Sequence, residues 1–308
     1  MLNKLLRKAA TAFHLASLKL VKLSDTNKIG LEHKSIVASV AEPNSTSIVI
    51  TTFADRFHLS LPLIANIRNG GVTRPIYVLI NADHGNIFDH DARSTFVSAI
   101  SQYPSTFPIT LGRKLGMSAL WNTGIRCTGS EFVVLLNDDL SVHPASLRQT
   151  IDKLFESVEQ NGLTVLNDSF SHFAISRKCI FDVGWFDERF LGFGEEDGDY
   201  SWRYEDFYER RPTNIRMNGL SSHSSDVGYE QIQSNDLNKY SLFNTAYLYK
   251  KYSFGNGGHK GTFGLEALKV IPEIDPYPLD RFYYEFSYCL DEASKDVVRS
   301  ALDHFFGQ

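Results

Sequence analysis

A short apolar run from Phe132 to Leu136 ends abruptly in the polar triplet Asn137-Asp138-Asp139. The run is too short for a helix, and branched apolar side chains at consecutive positions are typical of a strand that is buried on both faces of a sheet. In open α/β sheets, ligands bind beyond the carboxyl ends of the strands. The run therefore predicts an α/β fold, and the triplet is expected at its ligand site.

The two carboxylates of the triplet predict a divalent cation. Carboxylates that crowd the end of a strand repel each other unless a cation lies between them, and hard oxygen ligands favour Mg²⁺ or Mn²⁺ over Zn²⁺. A cation together with a diphosphate is the simplest interpretation of Asn137, Asp138 and Asp139. The alternative is that these residues only form the turn after the strand, because Asp and Asn both favour turns.

A second acidic cluster, from Glu195 to Asp199, lies in a loop bracketed by glycines. Like charges at this density resist being brought together unless a site uses them. The alternative is a solvated acidic loop before a helix, with Asp197 or Asp199 as the N-cap, although capping and catalysis are compatible. Aromatic rings nearby offer flat faces suited to sugars, namely Trp185, Phe186, Phe190 and Phe193.

The stretch from Gly184 to Arg203 resembles a signature of GT-A glycosyltransferases, Gly-(Trp)-Phe-Asp-Glu-x-Phe followed by Gly-Glu-Asp-x-Asp-(Leu)-x-x-Arg. It is most similar to the inverting family 2 enzymes and to the galactosyltransferases with the Glu-Asp motif, and the first cluster takes the place of their Asp-x-Asp motif. The resemblance implies a Rossmann-like, mainly parallel central sheet flanked by helices. Asn137 in place of Asp, and Gly198 in place of a residue that is often Asp or Val, depart from the family pattern.

The resemblance continues in the family's order from about Ser47 to His223. The stretch Ser47 to Arg56 is similar to the first strand and its Thr-(Tyr)-Asn-Arg end. Pro75 to Asp83 looks like the second strand, which in the family ends in an acidic residue that reads the nucleotide base, and either Asn81 or Asp83 would take that role here. Leu115 to Gly124 resembles the Gly-x-x-x-(Ala)-x-x-Asn-x-Gly helix that packs behind the nucleotide.

Residue by residue, the resemblance implies that Asp139 binds the metal and that His223 completes the metal shell. Asp197 would be the general base that takes the proton of the acceptor hydroxyl, and Glu196 would bind the acceptor or position the base. The implied donor-binding residues are Thr51, Thr52, Phe53, Arg56, Asn81, Asp83, Gly116, Asn122, Asn137 and Asp138. The implied acceptor-binding residues are Trp185, Asp187 and Glu195.

The implied activity is the transfer of a sugar from a nucleotide-diphosphate sugar, UDP-sugars being favoured, to a hydroxyl of a glycan or lipid-linked acceptor. The reaction would depend on Mn²⁺ or Mg²⁺ and invert the anomeric centre, and it would serve polysaccharide biosynthesis for the cell envelope. Three alternatives stay open: a non-catalytic nucleotide-sugar or glycan-binding protein, a retaining transferase, and a nucleotidyltransferase. The last would be expected to carry a glycine-rich phosphate loop after the first strand, and Thr52 to Leu59 contains none.

The composition agrees with these expectations without requiring them. A chain of 308 residues can form one large domain or two small ones, and a net charge of −5 disfavours nucleic-acid binding. The three cysteines, Cys127, Cys179 and Cys289, show no metal-binding spacing and predict reduced, buried thiols in a cytosolic protein.

The first 23 residues combine apolar side chains at helical spacing with Lys and Arg, and no acid precedes Asp25. This pattern predicts a basic amphipathic helix that lies on the inner face of an anionic membrane, or else docks on the protein's own body or on a second subunit of a homo-oligomer. It lacks the apolar core of a membrane span or signal peptide, so a cytoplasmic location is expected. We expect a helical extension over 1–30, a catalytic domain over 45–225, and a mainly helical extension over 226–308 that begins with a helix near Asn238 to Lys251.

Overall fold

The computed structural model describes residues 42–82, 88–141, 143–217 and 221–222, together with Asn244 and Leu248. The amino-terminal segment, Asp83, His223 and the rest of the carboxyl-terminal extension lie outside these residues. Asn244 and Leu248 are both helical, in agreement with the helix predicted around them. The division of the chain into three parts stays a prediction.

A seven-stranded mixed sheet forms the centre of the described chain. In chain order the strands are β1 (Glu42–Thr52), β2 (Ile76–Ile80), β3 (Thr106–Thr110), β4 (Ser130–Asn137), β5 (Leu140–Ser141), β6 (Leu163–Leu166), β7 (Ser169–Ser176), β8 (Thr213–Ile215) and β9 (Ser221–Ser222). The central sheet has the order β3-β2-β1-β4-β7-β6-β8, and β5 pairs separately with β9. Strand β7 is antiparallel to both of its neighbours, and the other pairs of the central sheet are parallel. The predicted α/β class with a mainly parallel sheet is confirmed.

The strand order reverses beside β1, because the chain builds β2 and β3 on one side of it and β4 on the other. At such a switch point the connections leave toward opposite faces, which opens a crevice at the carboxyl ends of the two strands. This arrangement, with antiparallel β7 beyond β4, confirms the GT-A type of fold expected from the sequence. The apolar run that ends in the acidic triplet is β4, one of the two strands at the reversal.

Helices cover both faces of the sheet. They are α1 (Phe57–Asn69), α2 (His90–Ile100), α3 (Met117–Thr128), α4 (Pro144–Asn161), α5 (Arg177–Val183) and α6 (Glu196–Tyr208), with a 3-10 turn (Ala54–Arg56) between β1 and α1. One core cluster packs α1, α2 and α4 against one face, and a second cluster packs α3, α5 and α6 against the other. Val134 belongs to the first cluster and its neighbour Val133 to the second. Because both faces of β4 are covered, its apolar side chains run without alternation.

The helix starts fall into two classes. Side chains cap α2, α4 and α5: Asp89 accepts from the Ala92 amide at 2.8 Å, His143 from the Ala145 amide at 3.4 Å, and Ser176 from the Cys179 amide at 3.0 Å. Helices α1, α3 and α6 have no side-chain cap, and the residues before them are Arg56, Gly116 and Glu195. Uncapped helix starts leave backbone N–H groups for other partners, and all three lie in the motifs that the sequence singled out.

Two further expectations concern the cysteines and membrane-spanning helices. Cys179 is buried, as predicted, but the prediction is wrong for Cys127, which is exposed at the end of α3. Across the described residues, no helix combines the length and the apolar character needed to cross a membrane.

Candidate active site

The ends of β1 and β4 bring two separate sequence motifs into one site. Thr51 pairs with Asn137 in the parallel register. Asp138 and Asp139 follow β4 and are only 3% and 5% exposed. The hydroxyl of Thr52 donates a hydrogen bond to the carboxylate of Asp138. These residues therefore lie together at the reversal between β1 and β4, the place where open α/β sheets commonly bind their ligands.

Arg56 supplies positive charge to this carboxylate pair. Its Nη2 atom lies 2.6 Å from Oδ1 of Asp138 and 3.8 Å from Oδ2 of Asp139. The 3-10 turn after β1 carries the guanidinium over the strand ends, with its carbon atom 5.8 Å from the centre of the Phe53 ring. Burial raises the pKa of Asp138 to about 7, while the charge of Arg56 and the Thr52 hydrogen bond lower it. The guanidinium thus offsets part of the repulsion that the sequence predicted.

The residues present fit a divalent cation that binds together with a ligand. In residues 42–82, 88–141 and 143–217, no three His, Cys, Asp or Glu side chains form a group that could hold a metal ion by themselves. Mg²⁺ and Mn²⁺ do not require such a group, because they commonly bind one or two carboxylates together with phosphate oxygens and water. Asp138 and Asp139 provide hard oxygen donors of this kind.

His172 is a buried residue of this region that sequence reasoning missed. It lies on β7 opposite Leu136, and its Nδ1 atom accepts a hydrogen bond from the Asn137 amide at 3.3 Å. Burial lowers its pKa to about 4, although the negative charge of Asp139 acts in the opposite direction. At neutral pH the ring is therefore uncharged, with its proton on Nε2. No sequence signal identified it, because a single histidine in a strand does not reveal the strand it pairs with.

The small β5–β9 sheet brings a distant part of the chain next to the acidic triplet. Leu140, which follows Asp139, pairs with Ser222 in an antiparallel register. Ser222 directly precedes His223, the predicted metal ligand, which lies outside the described residues.

The second acidic cluster forms the start of α6. The loop before it has positive φ angles at Gly192 (54°), Gly194 (109°) and Glu195 (71°). Asp197 is exposed, and its Oδ1 atom accepts a hydrogen bond from the Gly198 amide at 2.8 Å. Acidic side chains in the first turn of a helix are stabilised by the helix dipole. The tight glycine loop and the helix start together hold the acids at one end of α6.

Glu196 differs sharply from its neighbour Asp197. Its side chain is buried, and its Oε2 atom has no hydrogen-bond partner among the described residues. Burial, together with the charges of Asp197 and Glu195, raises the pKa of Glu196 to about 8, although backbone hydrogen bonds act in the opposite direction. At neutral pH Glu196 is therefore mostly protonated and acts as a hydrogen-bond donor.

Asp199 has a structural role within the same cluster. Its Oδ2 atom accepts hydrogen bonds from Nε and Nη2 of Arg203 at 3.0 and 2.8 Å, and both side chains are buried. Arg203 also donates to the carbonyl of Val183 at 3.2 Å, which ties α6 to α5. The charge of Asp199 is therefore neutralised inside the protein.

Two asparagines predicted to bind the donor hold backbone segments together. The side chain of Asn81 donates to the carbonyl of Leu115 at 2.8 Å and accepts from its amide at 2.9 Å. Asn122 is fully buried, and it donates to and accepts from the backbone of Phe186 at 2.9 and 3.1 Å. Asn122 also donates to Oε1 of Glu188 at 2.9 Å, so both amide groups make their hydrogen bonds within the protein. Asp83, the alternative to Asn81 as the base-reading residue, lies outside the described residues.

The aromatic residues before the acidic loop pack the core. Trp185, Phe186 and Phe190 are 7%, 0% and 3% exposed, so their interpretation as open sugar-binding faces is wrong. The guanidinium of Arg126 covers the Trp185 ring at 4.7 Å from its centre. Asp187 is also buried, and its Oδ1 atom accepts a hydrogen bond from Nε of Arg189 at 2.7 Å.

Gly116 allows the start of α3 to touch the loop before α6. A Cβ atom at this position would lie 3.1 Å from both the nitrogen and the oxygen of Gly192. The amide of Met117 donates to the Gly192 carbonyl at 2.6 Å. The predicted donor helix and the predicted catalytic loop are therefore in direct contact.

No protein-family model matches the sequence, and no curated protein is significantly similar to it. Among solved structures, a mycobacterial protein matches with a TM-score of 0.50 at 12% identity, over 74% of this chain and 80% of the other. A mannosyltransferase from Pyrobaculum calidifontis in complex with GDP-Man and Mn²⁺ matches with a TM-score of 0.49 at 12% identity, over 97% and 85%. Glucosyl-3-phosphoglycerate synthase from Mycobacterium tuberculosis, in complex with Mn²⁺, UDP and glucosyl-3-phosphoglycerate, matches with a TM-score of 0.47 at 11% identity, over 68% and 82%. At such identities the likeness concerns the fold alone.

Proposed function

We propose that the protein transfers a sugar from a nucleotide-diphosphate donor to a hydroxyl acceptor, with help from a divalent cation and with inversion of the anomeric centre. The observation that carries this proposal is the buried pair Asp138 and Asp139 with Arg56 at the reversal between β1 and β4. Carboxylates recruit a cation and a guanidinium binds phosphate, and a nucleotide-diphosphate sugar presents a diphosphate to both. The order of the sequence motifs supports the same activity.

The donor side is assigned to the first cluster. Asp139 would hold Mn²⁺ or Mg²⁺, and the antiparallel pairing of Leu140 with Ser222 supports His223 as a further ligand. A bound cation would offset negative charge on the departing diphosphate. Asn137 and Asp138 would contact the ribose or the sugar, and Arg56 would face the phosphates.

The acceptor side is assigned to the start of α6. Asp197, the exposed carboxylate, would take the proton of the acceptor hydroxyl while that oxygen bonds to the anomeric carbon. The bond from this carbon to the diphosphate oxygen breaks in the same step, and the nucleoside diphosphate leaves from the opposite side. Glu196 carries a proton at neutral pH, so it would donate a hydrogen bond to the acceptor rather than act as the base.

Turnover with a panel of UDP- and GDP-sugars, in the presence of Mn²⁺ and of glycan or lipid-linked acceptors, tests this proposal. We expect Asp197→Asn to lower kcat by about a hundredfold or more, because a positioned general base contributes at least that much. Asp139→Asn is expected to lose a similar factor together with the response to Mn²⁺. Asp91→Asn, in the exposed first turn of α2, is the matched control and should leave turnover unchanged.

The same assay separates the alternatives. Full activity of both site variants would contradict the assigned roles. An unchanged anomeric configuration in the product would identify a retaining transferase. Binding of UDP or GDP with Mn²⁺ in calorimetry, without turnover of any sugar nucleotide, would instead support a non-catalytic binding protein. Release of pyrophosphate from a nucleoside triphosphate and a sugar phosphate would indicate a nucleotidyltransferase.

A further inference from the structure

Asn244, from the carboxyl-terminal extension, inserts into the loop that precedes the acidic start of α6. It is fully buried. Its Oδ1 atom accepts a hydrogen bond from the Leu191 amide at 2.8 Å, and its Nδ2 atom donates to the carbonyl of Leu191 at 2.8 Å. Nδ2 also donates to the carbonyl oxygens of Gly194 at 2.8 Å and Phe193 at 3.3 Å. One side chain thus contacts the backbone at both ends of the segment from Leu191 to Gly194.

These contacts are well matched to the chemistry of an asparagine. The side-chain amide offers one acceptor and two donor hydrogens in a single plane, and its paired bonds to Leu191 mimic a backbone partner in a sheet. An aspartate in the same place would keep the acceptor but turn an oxygen atom toward the carbonyls. A buried loop whose polar groups lost these partners would be destabilised, because each unpaired group keeps its cost of desolvation.

The loop depends on outside partners because of its backbone conformation. Gly192 and Gly194 have φ angles of 54° and 109°, outside helix and strand geometry, so regular hydrogen bonding cannot satisfy the segment. The Met117 amide holds the Gly192 carbonyl from the side of α3 at 2.6 Å. Asn244 holds Leu191 and Gly194 through its own hydrogen bonds, and Leu248 is also buried. The loop is therefore fixed by the start of α3 and by Asn244.

We propose that Asn244 is a positioning residue for the transfer reaction: it fixes the backbone from Leu191 to Gly194 and so sets the position from which Glu196 and Asp197 meet the acceptor. This inference rests on the proposed function. It gives the carboxyl-terminal extension a direct part in the acceptor side of the site. The donor site at the ends of β1 and β4 has no contact with Asn244 among the hydrogen bonds of the described residues, so donor binding should not depend on it.

Two variants of Asn244 test the inference by kinetics. Asn244→Asp keeps the size of the side chain and its acceptor, whereas Asn244→Ala removes every contact. We expect kcat to fall by about a hundredfold in both, because misplacement of a catalytic group by about 1 Å costs on that order. The KM for the nucleotide sugar and the affinity for UDP with Mn²⁺ should change by less than about threefold. Ile151→Val, in the core cluster on the other face of the sheet, controls for loss of stability.

Hydrogen–deuterium exchange tests the contact itself, independently of activity. In Asn244→Ala, the amides of the segment 190–198 should exchange at least about tenfold faster, because Leu191 loses its acceptor. The segment 151–158 of α4 serves as the internal control and should exchange as in the wild type. Unchanged exchange at 190–198 would overturn the inference.

The kinetic measurements can also overturn or support the inference. Faster exchange of the loop with an unchanged kcat would overturn the catalytic part of the inference, and so would an equal loss of kcat in Ile151→Val. A wild type that turns over no nucleotide sugar would overturn the proposed function and the catalytic part with it, whereas the exchange result would still show whether Asn244 holds the loop. A fall in kcat with constant donor affinity and faster loop exchange supports the inference.

Discussion

Glu196 and Asp197 are adjacent in the sequence, but their surroundings differ at the level of single side chains. Glu196 is buried beside two other acids, and burial raises its pKa to about 8. Asp197 is exposed on the same helical turn, and Asp199 is buried against Arg203. One short acidic sequence thus contains a hydrogen-bond donor, a candidate base and a structural ion pair. All three residues carry a carboxyl group, so the differences between their roles come from their burial and their partners.

The raised pKa of Glu196 predicts a stability that depends on pH. In the unfolded chain the carboxyl ionises near its ordinary value of 4.5, and in the fold it ionises near 8. Ionisation therefore favours unfolding, and stability is lost as the pH rises through this window. Glu196→Gln imitates the protonated side chain, so we expect it to raise the free energy of unfolding at pH 9 by on the order of 2 kcal/mol. At pH 5 the variant and the wild type should be nearly equal.

Urea unfolding at several pH values between 5 and 9 measures this difference. Glu159→Gln, on the exposed side of α4, is the matched control and should follow the wild-type pH dependence throughout. Parallel pH profiles for Glu196→Gln and the wild type would contradict the raised pKa.

At the level of elements, the contact between α3 and β1 places the uncapped helix start beside the strand ends. Gly124 permits this approach, because a Cβ atom at its position would lie 2.6 Å from Cγ1 of Val49. Val49 is a residue of β1 that is fully buried on the face covered by α3, so its side chain has little room to move. The motif glycine therefore has a packing role that sequence resemblance alone did not specify.

Replacement of this glycine tests the helix–strand contact. Alanine favours the helix by about 1 kcal/mol over glycine, but overpacking against a buried strand costs about 1 to 3 kcal/mol. We therefore expect Gly124→Ala to lower the free energy of unfolding by on the order of 1 kcal/mol. In a Val49→Ala background the same change should stabilise the protein, because the clashing methyl group is gone. Denaturant titration of the four proteins gives the coupling energy, and additive effects would argue against the close approach.

At the level of the whole molecule, the proposed donor site joins segments that are far apart in the chain. The ends of β1 and β4 supply Thr52, Arg56 and the two aspartates, and β7 adds His172 behind them. A ligand that binds such a site stabilises the folded state only, because the unfolded chain does not bring these segments together.

Thermal unfolding with nucleotide and metal tests this linkage. A ligand at about one hundred times its Kd stabilises a protein by about 2.7 kcal/mol, so UDP or GDP together with Mn²⁺ should raise Tm by several degrees. Each component alone should have a smaller effect, because the cation and the diphosphate bind together. Asp139→Asn should lose the joint effect, whereas Asp91→Asn should retain it. An equal rise in both variants would place the binding elsewhere.

The central strands and the two acidic clusters were predictable because their signals are local. An apolar run that ends in acids indicates a buried strand, and β4 confirms the strand from Ser130 to Asn137. The α/β class followed from such strands and from the ordered motifs. Burial on both faces and a polar strand end both appear as patterns among residues that are adjacent in the chain. Both can therefore be predicted from the sequence.

The parts that only the tertiary structure revealed involve contacts between distant residues. His172 meets the Asn137 amide across 35 positions, and Asn244 meets Leu191 across 53. The burial of Trp185 and the inward-facing amides of Asn81 and Asn122 likewise depend on what packs against them. Neither strand pairing nor the partner of a buried polar group is encoded in local periodicity, because both are set by the packing of the whole chain. The sequence thus supplied the acids and their order, and the fold set their surroundings.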